Sequence, residues 1–287
     1  MKKLITLTIG FLVAIAAIAQ EKADILVGYE CNSPGMEGKG IKQKMTLLAN
    51  ASKSKYFNEI SLWTDSLNST PEGKAQLDEI IRANCLVTHP KGFKYWDLTR
   101  GPVKKIFTYV FNDLTSATLT VYDEWAEETH YYTEPLDEQT WDIVADSIST
   151  VLGYECLMAK SDYHGRHWTA WFAPELPLSF GPWKLHGLPG LILKAEADGG
   201  FSFIATDLGQ SDRAITPMYS VGDYSPISRI KAQGNQEYFI NNRESILKAQ
   251  NDGNVKITYR DSDGNEVSAP VYDARKMSLE PDYKAFE

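Results

Sequence analysis

Asp162, His164, His167 and His186 are the residues of this chain whose types suit a metal centre. Imidazole and carboxylate donors hold zinc at about 2.0–2.2 Å, and a zinc ion with an open position activates water for hydrolysis. The spacing argues against such a centre, because side chains on a strand alternate with period two and His164 and His167 would point to opposite faces. Only a turn at His164-Gly165 brings the two rings together. The competing reading makes them histidines of a hairpin turn and a sheet surface. No metal is therefore assigned, and a metal-dependent hydrolase using His164, His167 and His186 stands as the alternative function.

Other catalytic patterns are weaker. Asp261 to Glu266 has the look of a calcium loop, but Gly264 stands fourth and Tyr272 twelfth, where an EF-hand needs glycine at six and glutamate at twelve. A hairpin turn accounts for these residues. Asp123-Glu124 and Glu127-Glu128 fit a solvated acidic loop better than the paired acids of a glycosidase. There is no Gly-x-Ser-x-Gly elbow, and none of the histidines, His89, His130, His164, His167 and His186, stands beside a serine or cysteine in a way that suggests pairing. Phosphate-cradling glycine loops are absent, so neither a cofactor nor a catalytic residue is assigned.

Aromatic side chains supply the candidate ligand face. Trp168 and Phe172 fall on one side of a predicted strand with Ala170, Trp171 falls on the other, and Trp183 lies in the turn region that follows. Tryptophans on both faces mean that both are covered or that one is a recognition surface. Core packing is sufficient reason for them, since burying one such ring is worth about 1.5–3 kcal/mol. Cys31, Cys85 and Cys156 allow one disulfide with one thiol left over, in any of three pairings.

Met1-Lys2-Lys3 followed by the apolar run Leu4 to Ile18, with Ala17-Ile18-Ala19 before Gln20, reads as a cleaved secretory signal over residues 1–19. A periplasmic or extracellular location follows, and no later run is apolar enough for a transmembrane anchor. Loss of Lys2 and Lys3 leaves 27 of the 29 basic residues against 38 acidic ones, a formal charge of −11. A nucleic-acid partner is disfavoured. With 43% apolar and 11% aromatic residues the chain has material for a large core.

The elements that must position these groups are mainly strands. Lys105 to Phe111 and Ala117 to Tyr122 alternate about a loop at Asn112 to Ser116, predicting an antiparallel pair. Tyr154 to Ser161 and Arg166 to Phe172 flank Tyr163-His164-Gly165, and Leu191 to Ala197 leads through Asp198-Gly199-Gly200 into Phe201, Phe203 and Ala205. A last hairpin is expected from Val255, Ile257 and Tyr259 through Asp263-Gly264 to Val267. Trp141 to Val151 carries both periods and is assigned as a strand. Two covering helices are expected: one opened by Thr70-Pro71-Glu72 with Leu77, Ile80 and Ile81 inward, and one from Asn235 to Gln250 with Phe239, Ile246 and Leu247 inward. Leu208 to Gly234 reads as an irregular excursion within a single β-rich domain, residues 20–287. In Gly187-Leu188-Pro189-Gly190-Leu191-Ile192, Pro189 and Gly190 suit a type II turn with Gly190 at positive φ.

Gly153-Tyr154-Glu155-Cys156, Gly165 to Phe172, Leu176-Pro177, Gly181-Pro182-Trp183-Lys184 and Gly187 to Leu193, in this order over residues 150 to about 205, resemble the GLPGLI family of secreted bacterial envelope proteins. The resemblance implies a β-rich envelope protein and brings no established activity. Its strand pattern is similar to that of open half-barrels such as lipoprotein carriers, a fold-level analogy. The expectation is therefore an antiparallel curved sheet or open half-barrel with one or two short covering helices. Its favoured function is a non-enzymatic binding or envelope-assembly protein, whose partner is an apolar or peptide ligand or an outer-membrane protein.

Overall fold

The computed structural model describes residues 21–34, 40–88, 90, 92, 94–125, 128–136, 139–215, 219, 221–250, 259–260, 266–268 and 273–284. The expected signal segment, His89, Glu127, and the Val255, Ile257 and Asp263-Gly264 part of the last hairpin lie outside them.

The chain starts with β1 (Ile25–Ser33), where Val27, Tyr29 and Cys31 alternate inward, then β2 (Ile41–Ala49) and β3 (Lys53–Phe57). The Asn50 side chain fixes the β2–β3 turn by accepting from the Ser52 and Lys53 amides at 2.9 and 2.8 Å. Two helices follow. Helix α1 (Glu59–Asn68), which the sequence reading did not anticipate, is capped by Asn58, and α2 (Pro71–Cys85) opens as expected on Thr70 and Pro71. They pack so closely that a Cβ on Gly73 would lie 2.2 Å from the Leu67 carbonyl oxygen. A small hairpin, β4 (Leu86–Thr88) with β5 (Lys94–Trp96), extends from the end of α2.

The main sheet resumes with β6 (Tyr109–Asp113), β7 (Thr118–Trp125) and β8 (Glu128–Pro135). The first of these starts at Tyr109, so Phe107 precedes the strand, and its turn begins two residues later and ends one residue later than the alternation suggested. The meander of β9 (Asp142–Val151), β10 (Tyr154–Tyr163), β11 (Arg166–Ala173), β12 (Leu191–Ala197) and β13 (Phe201–Gln210) forms as the patterning predicts. Strand β13 returns to pair with β1, and the short β14 (Ser225–Pro226) lies on β8, so the order is β14-β8-β7-β6-β3-β2-β1-β13-β12-β11-β10-β9 in one open, curved sheet. Every pairing is antiparallel except that of β14 with β8.

The larger core runs from Val27, Tyr29 and Leu47 to Trp168, Phe172 and Leu193. Tyr29 ties its two halves together by donating to the Ile192 carbonyl at 2.7 Å. A smaller core of Ala23, Leu48, Phe57, Tyr109 and Ile215 lies apart from it. Its cover comes from the stretch expected to be irregular: Ile215 is fully buried, its amide bonded to the Glu21 carbonyl at 3.0 Å, and Tyr224 meets Tyr122 edge-on at 5.4 Å. Helix α3 (Arg229–Gln250) begins six residues before the expected Asn235, because Ser228 accepts from the Lys231 amide and Gly234 is carried inside the helix. Phe239 packs on Trp125, while Ile246 and Leu247 are half-buried. The described end of the chain holds β15 (Tyr259–Arg260) paired with β16 (Glu266–Val267), and α4 (Ala274–Met277).

The Gly190 expectation is corrected. Gly187, not Gly190, has positive φ (89°), whereas a Cβ on Gly190 would stand 2.4 Å from the Ala173 carbonyl oxygen. Gly190 serves close approach to β11 rather than a left-handed turn. Cys31, Cys85 and Cys156 are all free and buried, so the allowed disulfide does not form. Burial pushes the Cys31 thiol up to about 12, and Tyr56 sits 3.1 Å from its sulfur.

Candidate functional site

On β8 the alternation that places His130 and Tyr132 inward also turns Glu134 into the core. Opposite it, β10 and β11 meet in a two-residue turn with φ of 51° at His164 and 77° at Gly165. The chain between β11 and β12 makes a further turn, closed by the Leu185 amide on the Pro182 carbonyl at 3.1 Å, which carries Trp183 at φ 54° and Lys184. Arg229 enters from the first turn of α3. Glu280 and Asp282 come from the segment after α4.

These groups meet in one buried cluster. Lys184 Nζ donates to Glu134 Oε2 at 2.5 Å and pairs with Glu280 Oε1 at 2.6 Å, and it lies 4.7 Å from the centre of the Tyr132 ring. Arg229 forks onto Asp282 at 2.9 and 3.1 Å and reaches Glu280 Oε2 at 3.0 Å. His164 lies between carboxylates, Nε2 3.1 Å from Glu134 Oε1 and Nδ1 3.7 Å from Asp282. The His164–Glu134 contact is close but poorly aligned as a hydrogen bond, for both atoms lack a properly directed partner. Tyr132 donates to Glu280 at 3.1 Å.

Electrostatics follow from burial and pairing. Burial pushes the Glu134 carboxyl up, but His164 and Lys184 outweigh it and hold the group at about 2. Burial likewise works against charged His164, yet Asp282 and Glu134 raise the imidazole above its ordinary value. Asp282 is held well below the carboxylate range against its burial by His164 and Arg229. Beside the cluster, Arg166 clamps the end of α4 and the residue that follows it through the carbonyls of Lys276 and Ser278, at 3.0 and 3.2 Å, and spans to the Asp198 carbonyl at 3.0 Å.

The donor atoms of Glu134, His164 and Glu280 lie within 4.8 Å of one another, a set that could hold a metal ion. Lys184 and Arg229 already place two cations against the same carboxylates, so the cluster neutralises itself. The three histidines singled out by type do not converge. His186 packs near the Tyr163 ring, but its two ring nitrogens face the carbonyls of Lys184 and Leu136. His167 is exposed and paired with Asp162 at the surface. Trp168 and Trp183 are 1% and 6% exposed and stack at 5.6 Å, and half-buried Trp171 lies under Lys194 Nζ at 4.2 Å. In the hexapeptide Gly187 to Ile192, Leu188, Leu191 and Ile192 are buried.

Sequence reasoning missed Glu134, Arg229, Glu280 and Asp282. The inward phase of β8 was the one available signal for Glu134. The reading of Asp123 as part of a solvated acidic loop is corrected: it is buried on β7, where burial raises it to about 6 despite bonds from Trp125 and Thr108, and His130 opposite it on β8 has ring nitrogens that both lack partners among the described residues.

The sheet also carries an open cavity of about 360 Å³, walled by Phe111, Tyr122, Ile215 and Val221. Thr118, Thr120, Lys53 and Asp113 give it polar walls. Tyr122 stacks on Tyr131 at 5.4 Å and meets Phe111 edge-on at 5.7 Å, so the aromatic wall is braced from behind.

Residues 96–194 match a family described as "Protein of unknown function (Porph_ging)". That stretch includes β8, the His164 turn and Lys184. No curated protein matches the sequence. Two solved structures of PNGF-II, in space groups C2 and P21, are similar in fold at 14% identity and TM-score 0.49, over 74% of this chain and 32% and 33% of theirs. The chain spans about a third of the length of those proteins.

Proposed function

We propose that this chain is a GLPGLI-type binding protein, exported by its first 19 residues to the periplasm or beyond, that holds an amphipathic ligand without transforming it. The observation that carries this reading is the cavity beside Phe111 and Tyr122. Its aromatic and aliphatic wall takes an apolar body, while Thr118, Thr120 and the Lys53–Asp113 pair, 3.5 Å apart, receive a polar end. The buried charges around Lys184 support the non-enzymatic part, because each is engaged by an opposite charge and none is left to face a substrate. On this reading the ligand face lies at Phe111 and Tyr122 rather than at Trp168, Trp171 and Trp183.

The test is a fluorescence titration with anilinonaphthalene sulfonate. Thr120→Trp fills the cavity from a half-buried position on β7 and should weaken dye binding at least about tenfold, as expected when an apolar body loses its pocket. Ile148→Ala, at an exposed position on β9 at the far edge of the sheet, should leave it unchanged. Equal binding by Thr120→Trp and the parent would sink the proposal. The metal-dependent hydrolase keeps one observation in its favour, the grouping of Glu134, His164 and Glu280. Stoichiometric zinc in untagged protein, measured by elemental analysis, would support it instead.

A further inference from the structure

The two helices and the β4–β5 hairpin form a face that neither core uses. Ile60 and Trp63, three residues apart on α1, are 45% and 37% exposed, and with Ile80, Asn84 and Pro102 they line a shallow groove. The hairpin continues this face, since Trp96 pairs with Leu86 just beyond α2 and the Asp97 amide bonds to the Cys85 carbonyl at 2.8 Å. Trp96 and Leu98 are the most open of its apolar groups, at 50% and 49%. Large apolar side chains exposed together call for a partner.

Charge says which partner. Lys94, Arg100 and Lys105 are exposed along this one segment, in a chain of net charge −9. Lys104 is not part of the set, because it turns inward to Asp65 and Glu124 at 2.9 and 3.1 Å. Among the acids nearby, Glu59 is paired with Arg213 at 2.6 Å and Asp97 accepts from Thr99, while Asp78 and Glu79 are exposed on α2 and lie outside the basic segment. Tryptophan and leucine ringed by lysine and arginine is the composition that settles at a lipid–water boundary, with rings at headgroup depth and cations on anionic headgroups. We propose that this face docks the protein on an anionic lipid bilayer. The negative remainder of the molecule is repelled by the same surface, which fixes the orientation of approach. The inference stands apart from the cavity and survives its failure.

Sedimentation with vesicles tests it. The protein should pellet with phosphatidylcholine vesicles containing phosphatidylglycerol and not with phosphatidylcholine alone. Binding should fall as salt rises from about 0.1 M to about 1 M, which shortens the screening length from about 10 Å to about 3 Å. Lys94→Gln/Arg100→Gln/Lys105→Gln should lower the partition coefficient about a hundredfold. Trp96→Ala/Leu98→Ala should lower it at least about tenfold. Quenching of the parent protein's tryptophan emission by brominated lipid gives a readout that needs no variant. Equal binding to both vesicle types, an unaffected triple variant, or no quenching overturns the proposal. So does self-association in the ultracentrifuge that Trp96→Ala/Leu98→Ala abolishes while vesicles bind nothing.

Discussion

At the scale of single residues, Glu134 carries the largest consequence, because it meets Lys184, His164 and Arg229 inside the core. Two buried charges left in place after one partner is removed cost far more than the pair contributes when intact. Glu134→Gln should therefore lower the unfolding free energy by about 3–5 kcal/mol in urea titration, whereas an exposed pair such as Lys42 with Glu30 should cost under about 1 kcal/mol when broken. The cluster also predicts a pH profile. His164 is raised above 6.5 on folding, so its contribution is complete below that pH and is lost as pH rises through the folded value. Glu134 is depressed from 4.5 to about 2, so its contribution is complete above 4.5 and is lost as pH falls toward 2. Stability should peak between these limits, and His164→Gln should flatten the alkaline limb and also shallow the acid limb, because His164 helps to hold Glu134 and Asp282 down. A profile in which that variant keeps the parent's alkaline decline would remove His164 from the account. Both His164 and Trp183 hold positive φ without being glycine, at about 1–3 kcal/mol each, and the packing of this cluster holds them there.

At the scale of elements, the turn before β12 separates two roles for glycine. Gly190 lies against the β11 backbone, so Gly190→Ala must push Ala173 away and should cost about 1–3 kcal/mol. Gly187 has room around it but sits at φ 89°, and Gly187→Ala should cost about 1 kcal/mol through backbone strain alone. Thermal melts of the two variants distinguish the roles. A smaller loss at Gly190 than at Gly187 would contradict the close approach. The sequence did mark this stretch as a fixed corner, since the proline and glycines were plain, but a contact to residue 173 has no local signature. The meander was legible for the opposite reason: alternation and His164-Gly165 or Asp198-Gly199-Gly200 turns are all local. Trp141 to Val151 was resolved only by pairing with β10. Helix α1 escaped notice because Ser61, Thr64 and Ser66 dilute the apolar period, and the start of α3 was hidden by Gly234, which reads as a break but is tolerated within the helix.

At the scale of the whole molecule, the buried cluster draws on β8, the β10–β11 turn, the chain between β11 and β12, the start of α3 and the segment after α4. Tyr132 and Glu280 are 148 positions apart, and Arg166 and Ser278 are 112 apart. Period and spacing cannot report such meetings, which explains why the histidines were visible and their partners were not. The same meetings make the last described segment a strap across the molecule: Arg166 grips its backbone, while Lys184, His164 and Arg229 face its carboxylates. Deleting residues 278–287 should leave those three cationic side chains with only Glu134 in the core. By the reasoning applied to one lost partner, this removes at least about 3–5 kcal/mol, or about 10 °C or more in melting temperature for a chain of this size. Because the pairs are buried, the loss should persist at about 1 M salt, where exposed pairs are screened. A deletion variant that melts with the parent, or recovers in salt, would mean that the sheet stands without the strap and that these charges only decorate it.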